Sequence, residues 1–312
     1  MKDPATTATR RSGAGSTSWT AVFAALAIAV AVVLSLIGYG CNDEGSSTSG
    51  VLVIPLACLA MAPLIRWVAR AEDRPELVPL LWLSLGLHLV GAVFRMRAAS
   101  DSLEYHREGT ALAVLFRDGQ FVVDTGRPVP GTGTMRYLTG LVHVLTGSTM
   151  FATLVVFTTL SFVALVIYLR AFSRGVPGGD RRRYALLLLL WPSLLFWPSS
   201  IGKESWMTFT MSVAALGAAR WFTHRRGALP LLGLGLFGTF MVRPHVALIL
   251  VIAVGVAFLF RAPTEGSQVK VASMLVGIAL LLVVGGILAT RTAEFLGVEN
   301  LATDLLPWNL VI

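Results

Sequence analysis

The sequence predicts an all-α integral membrane protein of about nine transmembrane helices, with two interfacial amphipathic helices in one large outer loop. Three observations carry this. Of 312 residues, 55% are hydrophobic and only 13% charged, about half the charged share of a soluble domain. Mean hydropathy is +0.74. Apolar runs near 20 residues recur along the chain, each long enough to cross a hydrocarbon core of about 30 Å as a helix. A backbone in lipid must satisfy its own hydrogen bonds, so these runs are expected as helices rather than open sheet.

The nine expected spans are 19–39, 51–68, 77–94, 150–169, 184–197, 205–222, 228–242, 246–260 and 271–289. Residues 1–18, rich in Ala, Thr, Ser and Gly, read as a disordered cytoplasmic segment. The 19–39 run is too long for a signal-peptide core, so it is expected to stay as the first span. Residues 19–289 form the polytopic domain, and 290–312 a short extracytoplasmic tail, truncated in appearance. Cys41 and Cys58 suggest neither a disulfide nor a metal site.

Charge sets the orientation. With the N-terminus inside, 16 of the 25 Lys and Arg residues fall in inner segments, among them Arg181, Arg182 and Arg183. Six of the nine outer ones lie in a single loop, 95–149. The positive-inside rule then puts this loop outside, in a multi-pass protein of the plasma membrane. The net charge of +8 is spread in short clusters between apolar runs, which argues for topology and a bilayer partner, not nucleic acid. Within the loop, 110–116 and 135–145 are apolar at helical spacing but too short to span, as expected of interfacial helices. A turn-rich link, 124–134, joins them.

Three polar clusters are expected on the outer face. Asp101, Glu104 and Glu108 recur at spacings of three and four, so a helix places them on one face. Grouped carboxylates suit a general base or a divalent metal ion; a solvated helix end is the plain alternative. Lys203 and Glu204 open the sixth span, whose free N–H groups face outward beside the lysine, a phosphate-binding arrangement. Snorkelling of Lys203 is the plain alternative. Arg243, Pro244 and His245 open the eighth span in the same sense, with a guanidinium fork that matches phosphate oxygens; there a boundary anchor is the plain alternative. Asp101 or Glu104, Lys203 and Arg243 are expected to line one outer cavity within about 15 Å of one another. His88, His143 and His224 read as isolated structural residues, and Gly233, Gly235 and Gly238 as a helix-packing surface.

Asp101 with Tyr105-His106, Pro130-Gly131-Thr132-Gly133, the run from Trp191 to Glu204, and Arg243-Pro244-His245 give a pattern over roughly residues 77–260. It resembles multi-span glycosyltransferases of the C-type fold that use polyprenyl-phosphate sugars. It is especially similar to uncharacterised actinobacterial members related to protein mannosyltransferases. The resemblance implies sugar transfer from a polyprenyl-phosphate-linked donor to a cell-envelope glycan or protein acceptor. Asp101 would be the base, with Glu104 as alternative; Lys203 and Arg243 would hold the donor phosphate. Tyr105, His106, Glu204 and His245 would complete the substrate site. The pattern departs from the family in three ways: two extra spans precede the loop, the adjacent Asp-Glu pair is absent, and so is the C-terminal part of many members. The other functions considered are an envelope polysaccharide polymerase, a lipid or glycan transporter and a non-catalytic scaffold.

Overall fold

The computed structural model describes residues 48–98, 100–259 and 285–293. Among these, every regular element is a helix. The chain order is α1 (Thr48–Ala71), α2 (Leu77–Ala98), α3 (Ser100–Arg117), α4 (Thr132–Thr146) and α5 (Met150–Gly175). It continues as α6 (Arg181–Leu190), α7 (Pro192–Phe196), α8 (Lys203–Phe222), α9 (Ala228–Phe240) and α10 (Pro244–Leu259). Residues 285–293 are also helical.

Three of these helices are long and apolar enough to cross a membrane: Leu52–Ala71 in α1, Leu77–Met96 in α2 and Met150–Gly175, the whole of α5. The protein is therefore a membrane protein by its helices. The apolar helices α9 and α10 are shorter. The expected first span, the disordered segment before it and most of the 290–312 tail lie outside the described residues, as does most of the 271–289 span.

One expected span is not a single helix. The 184–197 run is split into α6 and α7 at Trp191, which is extended (φ −68°, ψ 119°). Pro192 is the cause: it has no N–H to bond into the preceding turn, and its ring disfavours helical backbone at residue 191. Pro55 and Pro63, by contrast, sit within α1 without ending it.

Helix α5 organises the bundle, packing against α1, α2, α4, α6 and α8. Its partner α2 presents Leu77, Leu81, Leu85 and Leu89, all buried, at intervals of four along one face. These join Ile54, Ile65, Phe151, Phe162, Leu165 and Leu189 in one core. Lipid tails are as apolar as leucine, so contact between such helices depends on close fit more than on exclusion of water. The α8–α9 hairpin shows this most clearly. A Cβ on Gly217 would fall onto the Leu232 backbone, and one on Gly235 onto the Ala214 backbone. Gly238 faces the Thr210 side chain, and Thr239 Oγ1 donates to Thr210 Oγ1 at 3.0 Å. The expected small-residue surface is thus Gly235 and Gly238; Gly233 faces open space. Cys58 is a buried free thiol in α1.

The bundle has two polar ends. One holds the connections 72–76, 176–180 and 223–227. The other holds α3, α4, the α7–α8 connection and the α9–α10 corner, and there the candidate residues gather.

Candidate functional site

Helices α3 and α4 pair through glycines. A Cβ on Gly109 would press on Thr139, and one on Gly140 on Phe116 and Leu112. Both expected loop helices are therefore present, and α3 begins ten residues before its apolar stretch, taking in the acidic cluster. Ser102 Oγ donates to the Ile201 carbonyl at 2.9 Å and fixes α3 to the segment before α8. Beside it, the Arg95 guanidinium lies over the Phe196 and Trp197 rings, 5.4 and 5.1 Å from their centroids.

The start of α4 docks on the α9–α10 corner. Gly131 N donates to the Met241 carbonyl at 2.9 Å, as does Thr134 Oγ1 at 2.6 Å. Gly131 has φ 136°, open to glycine but strained for other residues. Gly133 packs so tightly on Thr125 Oγ1 and the Arg127 carbonyl that a Cβ has no room. The Pro130–Gly133 motif thus serves a tight docking turn.

Of the three acidic residues on α3, Glu104 and Glu108 turn to one arginine that sequence reasoning missed. Arg136, on α4 and almost fully buried, reaches Glu104 Oε1 at 2.7 Å and Glu108 Oε2 at 3.4 Å. It also donates to the Thr125 carbonyl at 2.9 Å. The hydrogen bond from Arg136 holds the Glu104 carboxyl below the ordinary glutamate value against the opposing effect of burial; the charges of Arg136, Arg127 and Lys203 add to it. A carboxylate so stabilised is a poorer base. Among the described residues no three His, Cys, Asp or Glu side chains gather in a way that holds a metal ion. The Asp101, Glu104 and Glu108 set does not fit one, since two of its members share Arg136.

Asp101 is exposed at the start of α3. One turn further, the Tyr105 ring is buried and its hydroxyl is hydrogen-bonded to Thr132. Burial pushes the Tyr105 phenol up to about 12, helped by the negative charges of Asp101, Glu104 and Glu204. The same Thr132 hydroxyl accepts from Lys203 Nζ at 3.0 Å. Lys203 is the first residue of α8 and makes no ion pair among the described residues. Glu204, next to it, takes Arg243 Nη2 at 2.9 Å. His245 follows, half-buried, in the first turn of α10. Asp101, Glu104, Tyr105, Lys203, Glu204 and Arg243 therefore form one contiguous polar cluster over the apolar layer of Ala92, Met135, Ile201 and Val242.

His106 belongs to a different arrangement. Its Nδ1 lies 3.1 Å from His143 Nε2, and Thr153 Oγ1 lies 2.7 Å from His143 Nδ1. The chain ends at Thr146, 2.9 Å from Thr153. Burial lowers His143 to about 4; the charges of His106 and Arg117 act in the same sense, and hydrogen bonding to His106 opposes them. His143 is thus part of a buried relay that ties α3, α4 and α5 together, not an isolated residue. Thirty-seven positions separate the two histidines in sequence, and no local pattern links them.

A cavity of about 970 Å³ opens beside the polar cluster. Its walls are Phe121, Val122, Tyr137, Trp206, Phe209 and Phe237 among others, and Asp124 and Arg127 sit on it too. Asp101, Glu104, Lys203 and Arg243, expected to line one cavity, are not on its walls; Lys203 lies three residues before Trp206, and Arg243 two after Met241, on the elements that form them. Comparison with protein families, with curated proteins and with solved structures found no match.

Proposed function

We propose that this chain is a membrane glycosyltransferase. It transfers a sugar from a polyprenyl-phosphate donor to a cell-envelope acceptor at the outer face of the plasma membrane. The observation that carries the reading is an apolar cavity of about 970 Å³ with Arg127 and Asp124 on its walls, whose Arg127 acts, together with Lys203, on Glu104 of the polar cluster. An amphiphile with a phosphate at one end matches both halves.

In this reading the acceptor hydroxyl loses its proton to Asp101 as it attacks the anomeric carbon. The bond from that carbon to the phosphate oxygen breaks, and its electron pair leaves with the phosphate. Lys203 stabilises the charge that develops there, beside the outward N-terminus of α8. Arg243 is tied to Glu204, so it orients the Lys203 corner and contributes a screened positive charge. Glu104 is tied to Arg136, which makes it the poorer base; Asp101 takes that role in this reading. No step passes through a metal, because the donor set does not fit one.

The experiment is transfer of labelled sugar by the purified full chain from a polyprenyl-phosphate monosaccharide to envelope glycan or peptide acceptors. Transfer that is lost in Asp101→Asn supports the proposal. Transfer only from long lipid-linked oligosaccharides would point to a polymerase, and no transfer from any lipid donor would refute enzymatic sugar transfer.

A further inference from the structure

The opposite end of the bundle carries a second charged cluster that sugar transfer does not use. On α5, Arg170 and Arg174 lie one turn apart, with Ser173 between them. On α8, Arg220 stands where the two helices come together: a Cβ on Gly175 would lie 3.2 Å from Ala219. Arg174 feels the positive charges of Arg170, Arg220 and Arg225, against one negative charge, that of Glu72. Glu72 is already engaged by Arg170 and, at 3.8 Å, by Arg181.

Helix C-termini attract cations, and both α5 and α8 end here. That attraction does not account for the donors left over. Arg170 Nε, Arg220 Nε and Ser173 Oγ are buried with no hydrogen-bond partner. Buried donors of this kind are costly unless an acceptor arrives. They lie on the last turns of α5 and α8, which approach at Gly175 and Ala219, beside a surplus of guanidinium charge; that charge suits an anion with several oxygens, and guanidinium forks fit phosphate best.

The surroundings indicate where that phosphate comes from. The cluster sits at the ends of two membrane-length helices, α1 and α5. The exposed Trp67 ring lies under the Arg170 guanidinium, 5.0 Å away, in the manner of aromatic side chains at headgroup level. The Lys and Arg count assigns this end to the cytoplasm, where the leaflet carries anionic lipid. We propose that Arg170, Ser173, Arg174, Arg220 and Arg225 bind the phosphate of an anionic phospholipid headgroup.

The test is native mass spectrometry of the delipidated full chain titrated with phosphatidylglycerol, phosphatidylcholine and inorganic phosphate. One phosphatidylglycerol is expected to be retained roughly fivefold or more tightly than phosphatidylcholine. Arg174→Gln/Arg225→Gln brings the two lipids to parity, whereas Arg66→Gln/Arg70→Gln, an equal loss of charge at exposed positions outside the cluster, leaves the preference intact. If the double variant fails to fold, Arg225→Gln alone, at an exposed position, is expected to give a partial loss. Equal retention of both lipids, or an unchanged preference in the cluster variants, overturns the proposal. Displacement of the lipid by millimolar inorganic phosphate overturns its lipid source.

Discussion

Arg243 and Glu204 meet at 2.9 Å, each side chain about two-fifths exposed, and so join the first turn of α8 to the α9–α10 corner. The pair is half in water, so its strength is that of a screened surface ion pair, under about 1 kcal/mol. Its value is in geometry. It holds the corner whose Met241 carbonyl receives α4, and it keeps Arg243 beside Lys203.

Glu204→Gln is accordingly expected to cost little stability. Thermal unfolding should move by no more than about 3 °C, the scale of a loss under about 1 kcal/mol in a chain of this size. A fall of 10 °C would show that the pair supports the fold itself.

Arg136→Met should be far more damaging. It leaves the Thr125 carbonyl without its donor and sets Glu104 and Glu108 against each other with no counter-ion. A loss of about 2 kcal/mol is expected. The sign with pH follows from the lowered Glu104 value. The stability due to this pair is complete above the ordinary glutamate pKa and is lost as pH falls through the lowered folded value. Denaturant melts at several acid pH values should show that limb in the wild type and a weaker one in Arg136→Met.

His143 gives a separate acid limb at higher pH. Its folded value is depressed to about 4 from an ordinary 6.5, so its contribution is complete above 6.5 and fades as pH falls to about 4. The groups facing it are His106 and Arg117, with Thr153 on α5. Melting temperatures measured between pH 7 and 4 should fall across that window, and less steeply in His143→Gln. Identical slopes in the two proteins would remove His143 as the cause.

The glycines of the α8–α9 hairpin supply a paired control. Gly235→Ala forces a methyl into the Ala214 backbone and is expected to cost about 1–3 kcal/mol. Gly233→Ala meets nothing within 4 Å and should be neutral or slightly stabilising. Thermal unfolding of the two variants side by side checks this.

What the sequence made legible follows the range of the physics involved. The spans 51–68, 77–94 and 150–169 were readable because an uninterrupted apolar run is a local signal. The break at Trp191 was readable in principle, since Pro192 sits within the run; length and hydropathy masked it. Lys203, Glu204, Arg243 and Asp101 stood out as charges at span ends, and topology alone put them on one face. Arg136 did not stand out, because one arginine in an amphipathic stretch looks like a solvated face until its carboxylates are seen on the neighbouring helix. The same holds for His143. The aromatic cavity was hidden for another reason: its walls come from the 121–129 link, α4, α8 and α9, and each wall residue taken singly reads as ordinary core.

In the proposed function, Lys203 and the aromatic cavity are two halves of one binding site for a lipid phosphate. The most direct measurement is binding of a fluorescent polyprenyl phosphate to the purified full chain, compared among the wild type, Lys203→Ala, Phe209→Ala and the double variant. The expected result is a loss of affinity of about tenfold or more in each single variant, for a lost charged contact and a lost aromatic one. In the double variant the loss should be less than the sum of the two free-energy changes, as for groups that share one ligand. Unchanged binding in Lys203→Ala, with the lipid still held through Phe209, would contradict the account.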